Sequence, residues 1–339
     1  MNAPNLFTFA TSELSLDAFV CWLASWADPK YAALNPPLHD TAVAFVTRLV
    51  ELGTGSKPSK MQEIKALKQE KDIDVLLLVN DDIAIIIEDK THTQDHSDQL
   101  RRYKKSVQEN HPNRNIVGVY LKIGDQADYT RVQQAGYGCL LRKDFLSVLD
   151  QGAEAGVQNH IFDDFRSYLH GIETAVQSYA TVPIAYWDAD DDRGNRWVGF
   201  FIALKNRLAE GCDWKSVPNP SGGFMGLNWH WRDGRFLQLE GKKLCFKIEV
   251  KEKSEQTRKW QEWHNALNAN VIPGGIQLSK PVRRAGTWMT VAVLAGGYLQ
   301  THENGTLDME STLQILQKAV ALMDAAVGKD SGGNPVTVT

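Results

Sequence analysis

Long apolar runs, a basic leader and a strong net charge are all missing from this 339-residue sequence. The longest aliphatic runs, at 75–79 and 83–87, are much shorter than the roughly 20 apolar residues that cross a bilayer. The N-terminal segment has no basic stretch followed by an apolar one, so we expect no secretion signal, no membrane partner and a cytoplasmic location. The net charge of −4 argues against a polycation, so a nucleic-acid partner would need a local basic surface.

Paired cysteines are also missing, because the four cysteines are scattered and show no Cys-x-x-Cys spacing. This pattern is typical of a reducing compartment and argues against a structural zinc site. The composition, with 43% hydrophobic and 23% charged residues, is that of a globular protein. The length exceeds what one core usually organises, so two domains are expected.

Hydrophobic periodicity in residues 1–150 predicts helices packed on a sheet. Apolar residues recur at helical spacing over 11–26, 40–52 and 97–109. Strands are predicted at 62–68, 73–79, 83–88 and 116–123, and a short strand runs into a helix at 138–149. This order predicts an α/β sandwich around a central mixed sheet.

The segment QGAEAG at 151–156 marks the predicted end of the first domain. We expect a linking helix at 151–180, an α+β domain at 181–327 that recognises substrate or partner, and a disordered tail at 328–339. Within the second domain, helices are predicted at 196–210, 255–268 and 308–327, and a hairpin at 236–240 and 244–251.

Eight of the ten tryptophans lie in this second half. Core packing is the favoured interpretation for all of them: Trp187, Trp197, Trp214, Trp229, Trp231, Trp260, Trp263 and Trp288. On a strand, Trp229 and Trp231 would share one side, which also allows a platform for stacking nucleic-acid bases.

The segment IDVLLLVNDDIAIIIEDKTHT at 73–93 carries the chemistry. Strand alternation puts Glu88 and Lys90 on one face and Asp89 on the other. If the turn at 80–82 pairs Val79 with Ile83, Asp74 lies directly opposite Glu88. A slip of one residue would move Glu88 to the wrong face.

Two close carboxylates at the end of a buried hairpin repel each other unless a cation neutralises them. Mg²⁺ is held by one or two carboxylates together with phosphate and water, and such an ion can activate water against a phosphodiester. Lys90 would point to the same place and could orient water or offset charge. The alternative is a salt bridge among Asp74, Glu88 and Lys90, but charges that end central strands are costly unless they are used.

The next helix adds an amide and a phenol. Gln99 and Tyr103 are four residues apart and share a face, whereas Arg101, Arg102 and Lys105 lie on the other side. Taken alone, Gln99 is an ordinary surface amide and Tyr103 a half-buried core residue. Because Gln99 and Tyr103 follow the Glu-x-Lys residues on the next helix, they could hold substrate or an attacking group beside the metal.

Together these residues resemble the PD-(D/E)XK nuclease superfamily. Asp74 matches the aspartate of its motif, Glu88-Asp89-Lys90 matches (D/E)-x-K, and Gln99 to Tyr103 match the Q-x-x-x-Y motif of the exonuclease-type branch. Ile73 stands where the motif has proline. The segment TSELSLDAFVCWLASWADP at 11–29 is similar to the opening helix of an uncharacterised bacterial family of that superfamily, in which Glu13 matches a metal-site acid.

The resemblance implies a restriction-endonuclease-like fold and a nuclease that uses Mg²⁺ or Mn²⁺. It implies that Glu13, Asp74 and Glu88 ligate the metal, that the backbone carbonyl of Asp89 contributes, and that Lys90 is catalytic with Gln99 and Tyr103 beside it. From the residues alone, Glu13 is also a first-turn acid that suits the helix dipole. DNA is the expected substrate, and defence against foreign DNA is the role that family analogy suggests.

Two other functions stay open from the sequence: cleavage of RNA, and a degenerate nuclease fold that only binds nucleic acid or protein. The sequence also does not distinguish a monomer from a homo-oligomer. A second Glu-x-Lys occurs at Glu249 to Lys251, where Asp233 could lie across from Glu249. Because charged and apolar residues alternate there, a half-exposed strand with solvated charges is the favoured interpretation.

Overall fold

The computed structural model describes residues 4–70, 73–90, 98–188, 194–208, 211–217, 223–281 and 285–328. The chain forms two compact units, Met1–Thr174 and Ala175–Thr339. Apart from Gly328, the tail predicted to be disordered lies outside the described residues, as does Ser97 at the predicted start of the third helix.

The first unit is built on a five-stranded sheet in the order β1-β2-β3-β4-β5. Its strands are β1 (Ile64–Glu70), β2 (Ile73–Val79), β3 (Ile83–Lys90), β4 (Asn115–Lys122) and β5 (Tyr137–Leu141). The first three strands form an antiparallel meander, and β4 and β5 continue parallel to β3. The predicted mixed sheet is confirmed.

Helices cover both faces of this sheet, which confirms the predicted sandwich. The helices are α1 (Glu13–Ser25), α2 (Pro36–Thr54), α3 (Gln99–Asn110), α4 (Thr130–Gln134), α5 (Arg142–Glu154) and α6 (His160–Gln177). Apolar residues of α1, α2, α5 and α6 join one core with Leu77, Ile85 and Ile87, whereas α3 packs with Leu76 and Ile86 on the other face.

The second helix is longer than its predicted range, 40–52, at both ends. It begins at Pro36, because the Asn35 side chain accepts a hydrogen bond from the N–H of Leu38 and proline suits the first helical turn. Gly53 does not end it; a Cβ at this position would lie 2.4 Å from Val117, so glycine allows α2 to approach β4. Gly55, with a φ of 73°, ends the helix instead.

The hairpin of β2 and β3 has the predicted register. Val79 pairs with Ile83, and the ladder continues to Val75 with Ile87. The left-handed turn residue Asn80, with a φ of 48°, accepts a hydrogen bond from the N–H of Gln62 through its side chain. The two strands therefore end together, which brings Asp74 beside Glu88.

The second unit contains a six-stranded sheet and three long helices within its described residues. The sheet order is β10-β11-β9-β8-β7-β6, with β6 (Asp213–Val217), β7 (Phe224–Arg232), β8 (Arg235–Glu240), β9 (Lys243–Glu249), β10 (Leu278–Ser279) and β11 (Trp288–Leu294). The helices are α7 (Asn195–Lys205), α8 (Gln256–Ala269) and α9 (Met309–Val327). The bounds of α8 and α9 agree with the predicted ranges to within one residue, whereas α7 ends at Lys205 rather than at the predicted residue 210. Among the described helices, none has the length and apolarity to span a membrane.

Six of the eight C-terminal tryptophans are buried, but the prediction of core packing is wrong for Trp231 and Trp288, which are 40% and 52% exposed. The prediction that Trp229 and Trp231 lie on the same side of a strand is also wrong. His230 between them has a φ of 56°, and the pairing of β7 with β8 is irregular from Trp229 to Arg232. This bulge leaves Trp229 in the core while Trp231 reaches the surface.

Candidate active site

The end of β3 holds an ion pair below the surface. Nζ of Lys90 lies 2.7 Å from Oε1 of Glu88, whose side chain has no exposed surface. Strand alternation places both side chains on the same face, as the sequence predicts. The Lys90 side chain is 12% exposed, so its ammonium lies between the buried carboxylate and solvent.

Asp74, at the neighbouring end of β2, completes this group. Its Oδ2 lies 3.7 Å from Nζ of Lys90 and accepts a hydrogen bond of 3.2 Å from the backbone N–H of Asp89. The Asp74 side chain is 27% exposed, so the site is reached from solvent on this side. The structure therefore brings Asp74, Glu88 and Lys90 together.

The pKa values of both members of this ion pair differ from their ordinary values. Burial raises the pKa of Glu88 to about 7; the hydrogen bond from Lys90 opposes the shift and the charge of Asp74 adds to it. Burial alone would lower the pKa of Lys90, but the hydrogen bond and charge of Glu88, with Asp74, raise it above its ordinary value. Lys90 is therefore a fixed cation rather than a proton acceptor in this geometry.

Gln99 and Tyr103 lie at the same place. Nε2 of Gln99 donates hydrogen bonds to Oε1 of Glu88 at 3.0 Å and to the Tyr103 hydroxyl at 2.7 Å. Tyr103 is 9% exposed and packs in the core under α3. Arg101, Arg102 and Lys105 are exposed, as predicted.

A second acidic pair, which sequence reasoning missed in part, lies behind Asp74. The side chains of Asp17 and Asp89 are buried, each about 1% exposed, and ligand oxygens of Asp17, Asp74 and Asp89 all lie within 4.8 Å of one another. Burial raises the pKa of both Asp17 and Asp89. Asp17 follows Glu13 by one helical turn within an apolar stripe, and that isolated acid was the available signal.

Glu13 and Lys122 lie near this end of the sheet. The charge of Glu13, the first residue of α1, acts on Lys90 and Lys122. Lys122 ends β4 in register with Lys90 and is 1% exposed; burial lowers its pKa to about 8. Sequence reasoning missed Lys122, although a lysine ending an apolar strand was a visible signal.

The donor set fits a hard divalent cation. Oε2 of Glu88 is buried without a hydrogen-bond partner in the described part of the chain, and the buried Asp89 carboxyl has only the Asp17 carboxyl as its side-chain partner. Such acceptors are costly to bury unless a proton or cation compensates them. Carboxylate oxygens are the ligands that Mg²⁺ and Mn²⁺ take, and among the described residues the group of three acids close enough to share an ion is Asp17, Asp74 and Asp89, without Glu88 or Glu13.

The second Glu-x-Lys has none of these features. Lys251 is 82% exposed and its Nζ lies 3.9 Å from Glu249. Gly234, not Asp233, lies across from Glu249, whose N–H donates to the Gly234 carbonyl at 2.7 Å. Lys251 is solvated, as the interpretation of a half-exposed strand predicts, whereas Glu249 is only 23% exposed.

The family comparison covers the same part of the chain. Residues 38–179 match the model of a family described as PD-(D/E)XK nuclease superfamily. No curated protein and no solved structure gives a significant match. The matched range holds Asp74, Glu88, Lys90, Gln99 and Tyr103, and Glu13 and Asp17 precede it.

Proposed function

We propose that this chain, whose residues 38–179 belong to the PD-(D/E)XK nuclease superfamily, hydrolyses DNA phosphodiester bonds with the help of Mg²⁺ or Mn²⁺. The observation that carries the proposal is the meeting of Asp74, Glu88 and Lys90, with Nζ of Lys90 2.7 Å from one carboxylate and 3.7 Å from the other. Defence against foreign DNA is the cellular role that we attach to this activity, by family analogy.

In this proposal Asp74 and Glu88 hold the ion, with Glu13 and the backbone carbonyl of Asp89 completing the set. A divalent ion bound there supplies a water of lowered pKa and positive charge opposite the phosphate. Lys90 is kept charged by Glu88, so it offsets the negative charge that develops on the phosphate or orients the attacking water. Gln99 fixes the rotamer of Glu88 and holds the Tyr103 hydroxyl toward the same place.

A structural ion pair is the competing interpretation, and two features favour the enzymatic one. Lys90 forms one hydrogen bond to Glu88 and leaves the second carboxylate oxygen without a partner among the described residues. Asp74 remains 27% exposed beside it, which a purely structural pair does not require.

For the C-terminal unit we propose a role in holding substrate or partner. Trp231 and Trp288 support it, because they lie edge to face with ring centroids 5.9 Å apart and remain partly exposed. Phe236 stacks on Trp231 at 4.1 Å and is itself buried. Exposed aromatic rings on a sheet are the usual means of stacking single-stranded bases.

The proposed activity is tested with supercoiled, linear and single-stranded DNA and with RNA, each in Mg²⁺, Mn²⁺ and EDTA. We expect cleavage of at least one DNA form with a divalent ion, none in EDTA, and none by Asp74→Ala. Cleavage confined to RNA would overturn the DNA assignment. Equal activity of wild type and variant, or salt-sensitive DNA binding without cleavage of any substrate, would overturn the enzymatic one.

A further inference from the structure

Two carboxamides face each other across strands β7 and β8 of the second unit. Asn228 pairs directly with Gln238, so both side chains rise from the same face of the sheet. Gln238 is 7% exposed and Asn228 is half-buried. Oδ1 of Asn228 and Oε1 of Gln238 are buried and have no hydrogen-bond partner among the residues that the structure describes. Two neighbouring acceptors therefore lack a donor, which is costly unless a ligand supplies one.

An aromatic cluster lies on the same face as these amides. Phe236 precedes Gln238 by two residues in β8, and strand alternation puts both side chains on one side. Trp231 stacks on Phe236 with ring centroids 4.1 Å apart, and Trp288 lies edge to face with both rings. The partly exposed rings of Trp231 and Trp288 therefore share a face with the amide pair.

The bulge at His230 places Trp231 on this face. Without the bulge, Trp231 would follow the alternation of Trp229 and point to the buried side of the sheet. His230 has a φ of 56°, which is unfavourable for a residue other than glycine, and its Nε2 forms a hydrogen bond of 2.7 Å with Oδ1 of Asp324 in α9. Bulges and strained backbone of this kind re-aim side chains at functional sites.

The chemistry of this face suits a nucleobase that carries an exocyclic amino group. Such a group has two hydrogens to donate to two carbonyl oxygens, while aromatic rings stack on the flat face of the base. Thymine and uracil present a carbonyl oxygen instead, which two acceptors would repel. Lys247, on the same face, already pairs with Glu240 at 2.7 Å, so the amide pair offers neutral acceptors rather than a positive charge for phosphate.

We propose that Asn228, Gln238, Trp231 and Trp288 form a binding site for an unpaired base that carries an amino group, which means adenine, cytosine or guanine rather than thymine. This inference rests on the proposed function, because it names the substrate class that the second unit holds for the nuclease. In a duplex the amino group bonds to the opposite base and both faces of the base are stacked. The site therefore requires single-stranded DNA.

Binding of labelled oligonucleotides to the full wild-type chain in EDTA tests this site without cleavage. Oligo-dC and oligo-dU of equal length form one matched pair, because cytosine carries an amino group where uracil carries a carbonyl oxygen. Oligo-dA and its deoxynebularine analogue, whose purine lacks the amino group, form the second pair. By fluorescence anisotropy, we expect the amino-bearing member of at least one pair to bind about 10-fold more tightly, as a well-placed pair of hydrogen bonds provides.

Two variants assign the preference to the amides. Gln238→Met and Asn228→Leu replace each carboxamide by an apolar side chain of similar size. Each variant should bind both members of the discriminating pair equally, while the oligomer without the amino group binds as it does to the wild type. Gln261→Met, which removes an exposed amide of α8, is the control and should keep the preference.

Several results would overturn this site. They are equal affinity within both pairs for the wild type, no binding of any oligomer, or a preference that survives both amide replacements. An equal loss of affinity for both members of a pair would also overturn it, because a structural role weakens all oligomers alike. Cleavage of DNA without a base preference would leave the nuclease proposal standing, whereas a base preference in a chain that cleaves nothing would leave only this site standing.

Discussion

Nζ of Lys90 lies 2.7 Å from Oε1 of Glu88, a carboxylate with no exposed surface. A pair this deep gains little stability overall, because desolvation of both charges offsets their attraction. This desolvation cost is explained if the ion pair serves a function together with a third charged group. Asp74 is such a group, because it lies beside the pair and is partly exposed to solvent.

Replacing Lys90 should remove activity without removing the fold. We expect Lys90→Ala to lower the initial rate of Mn²⁺-dependent DNA cleavage by about 100-fold or more, because a positioned charge contributes that much. Lys251→Ala is the matched control, since Lys251 ends the second Glu-x-Lys and is 82% exposed. Its rate should equal that of the wild type. Equal losses of cleavage rate in Lys90→Ala and Lys251→Ala, with unchanged circular dichroism, would contradict a specific catalytic role for Lys90.

Glu88 should make the metal-free protein less stable as the pH rises. Burial raises the pKa of Glu88 to about 7 from 4.5, so the folded state binds this proton more tightly than the unfolded state does. The favourable contribution is complete below pH 4.5 and is lost as the pH rises through 7. By urea unfolding in EDTA, the wild type should lose roughly 3 kcal/mol more than Glu88→Gln between pH 4.5 and pH 8. Identical pH dependence in the two proteins would contradict this origin.

The Tyr103 hydroxyl should matter for catalysis more than for stability. Tyr103→Phe keeps the ring in the core and removes the group that accepts the 2.7 Å hydrogen bond from Gln99. We expect the free energy of unfolding to fall by about 1 kcal/mol, the value of one hydrogen bond, while the cleavage rate falls about 10-fold or more through loss of transition-state contacts. A rate that stays at the wild-type level would assign Tyr103 to packing alone.

Exposed tryptophans of the second unit should contribute to nucleic-acid affinity. Trp231→Ala and Trp288→Ala are each expected to weaken binding of single-stranded DNA to an Asp74→Ala background about 10-fold, since stacking on one base contributes about 1–3 kcal/mol. Tyr186→Ala, which removes another exposed ring of this unit, is the control and should bind as before. Fluorescence anisotropy measures all three. Unchanged affinity in both tryptophan variants would contradict a role of Trp231 and Trp288 in DNA binding.

Contacts between residues that are close in the sequence could be predicted from the sequence. The turn at Asn80 and strand alternation together placed Asp74 beside Glu88, and helical spacing placed Gln99 beside Tyr103. Both arrangements depend on residues close in sequence, for which the spacing is fixed by strand and helix geometry.

What the sequence did not predict depends on contacts between distant segments. Asp17 meets Asp89 because α1 packs on the sheet, and Lys122 meets Lys90 because β4 pairs in parallel with β3. Neither contact can be derived by counting residues outward from a turn. The sequence predicts a helix end at Gly53, whereas this glycine allows the close contact of α2 with Val117 on β4.

The most direct test of the central claim is the Mn²⁺-dependent cleavage rate of the Asp74→Asn/Glu88→Gln double variant beside the two single variants. If both carboxylates hold the same ion, either replacement removes its effect, and the double variant should be no slower than the slower single variant. Full activity in either single variant, or losses that multiply in the double variant, would contradict a shared metal site.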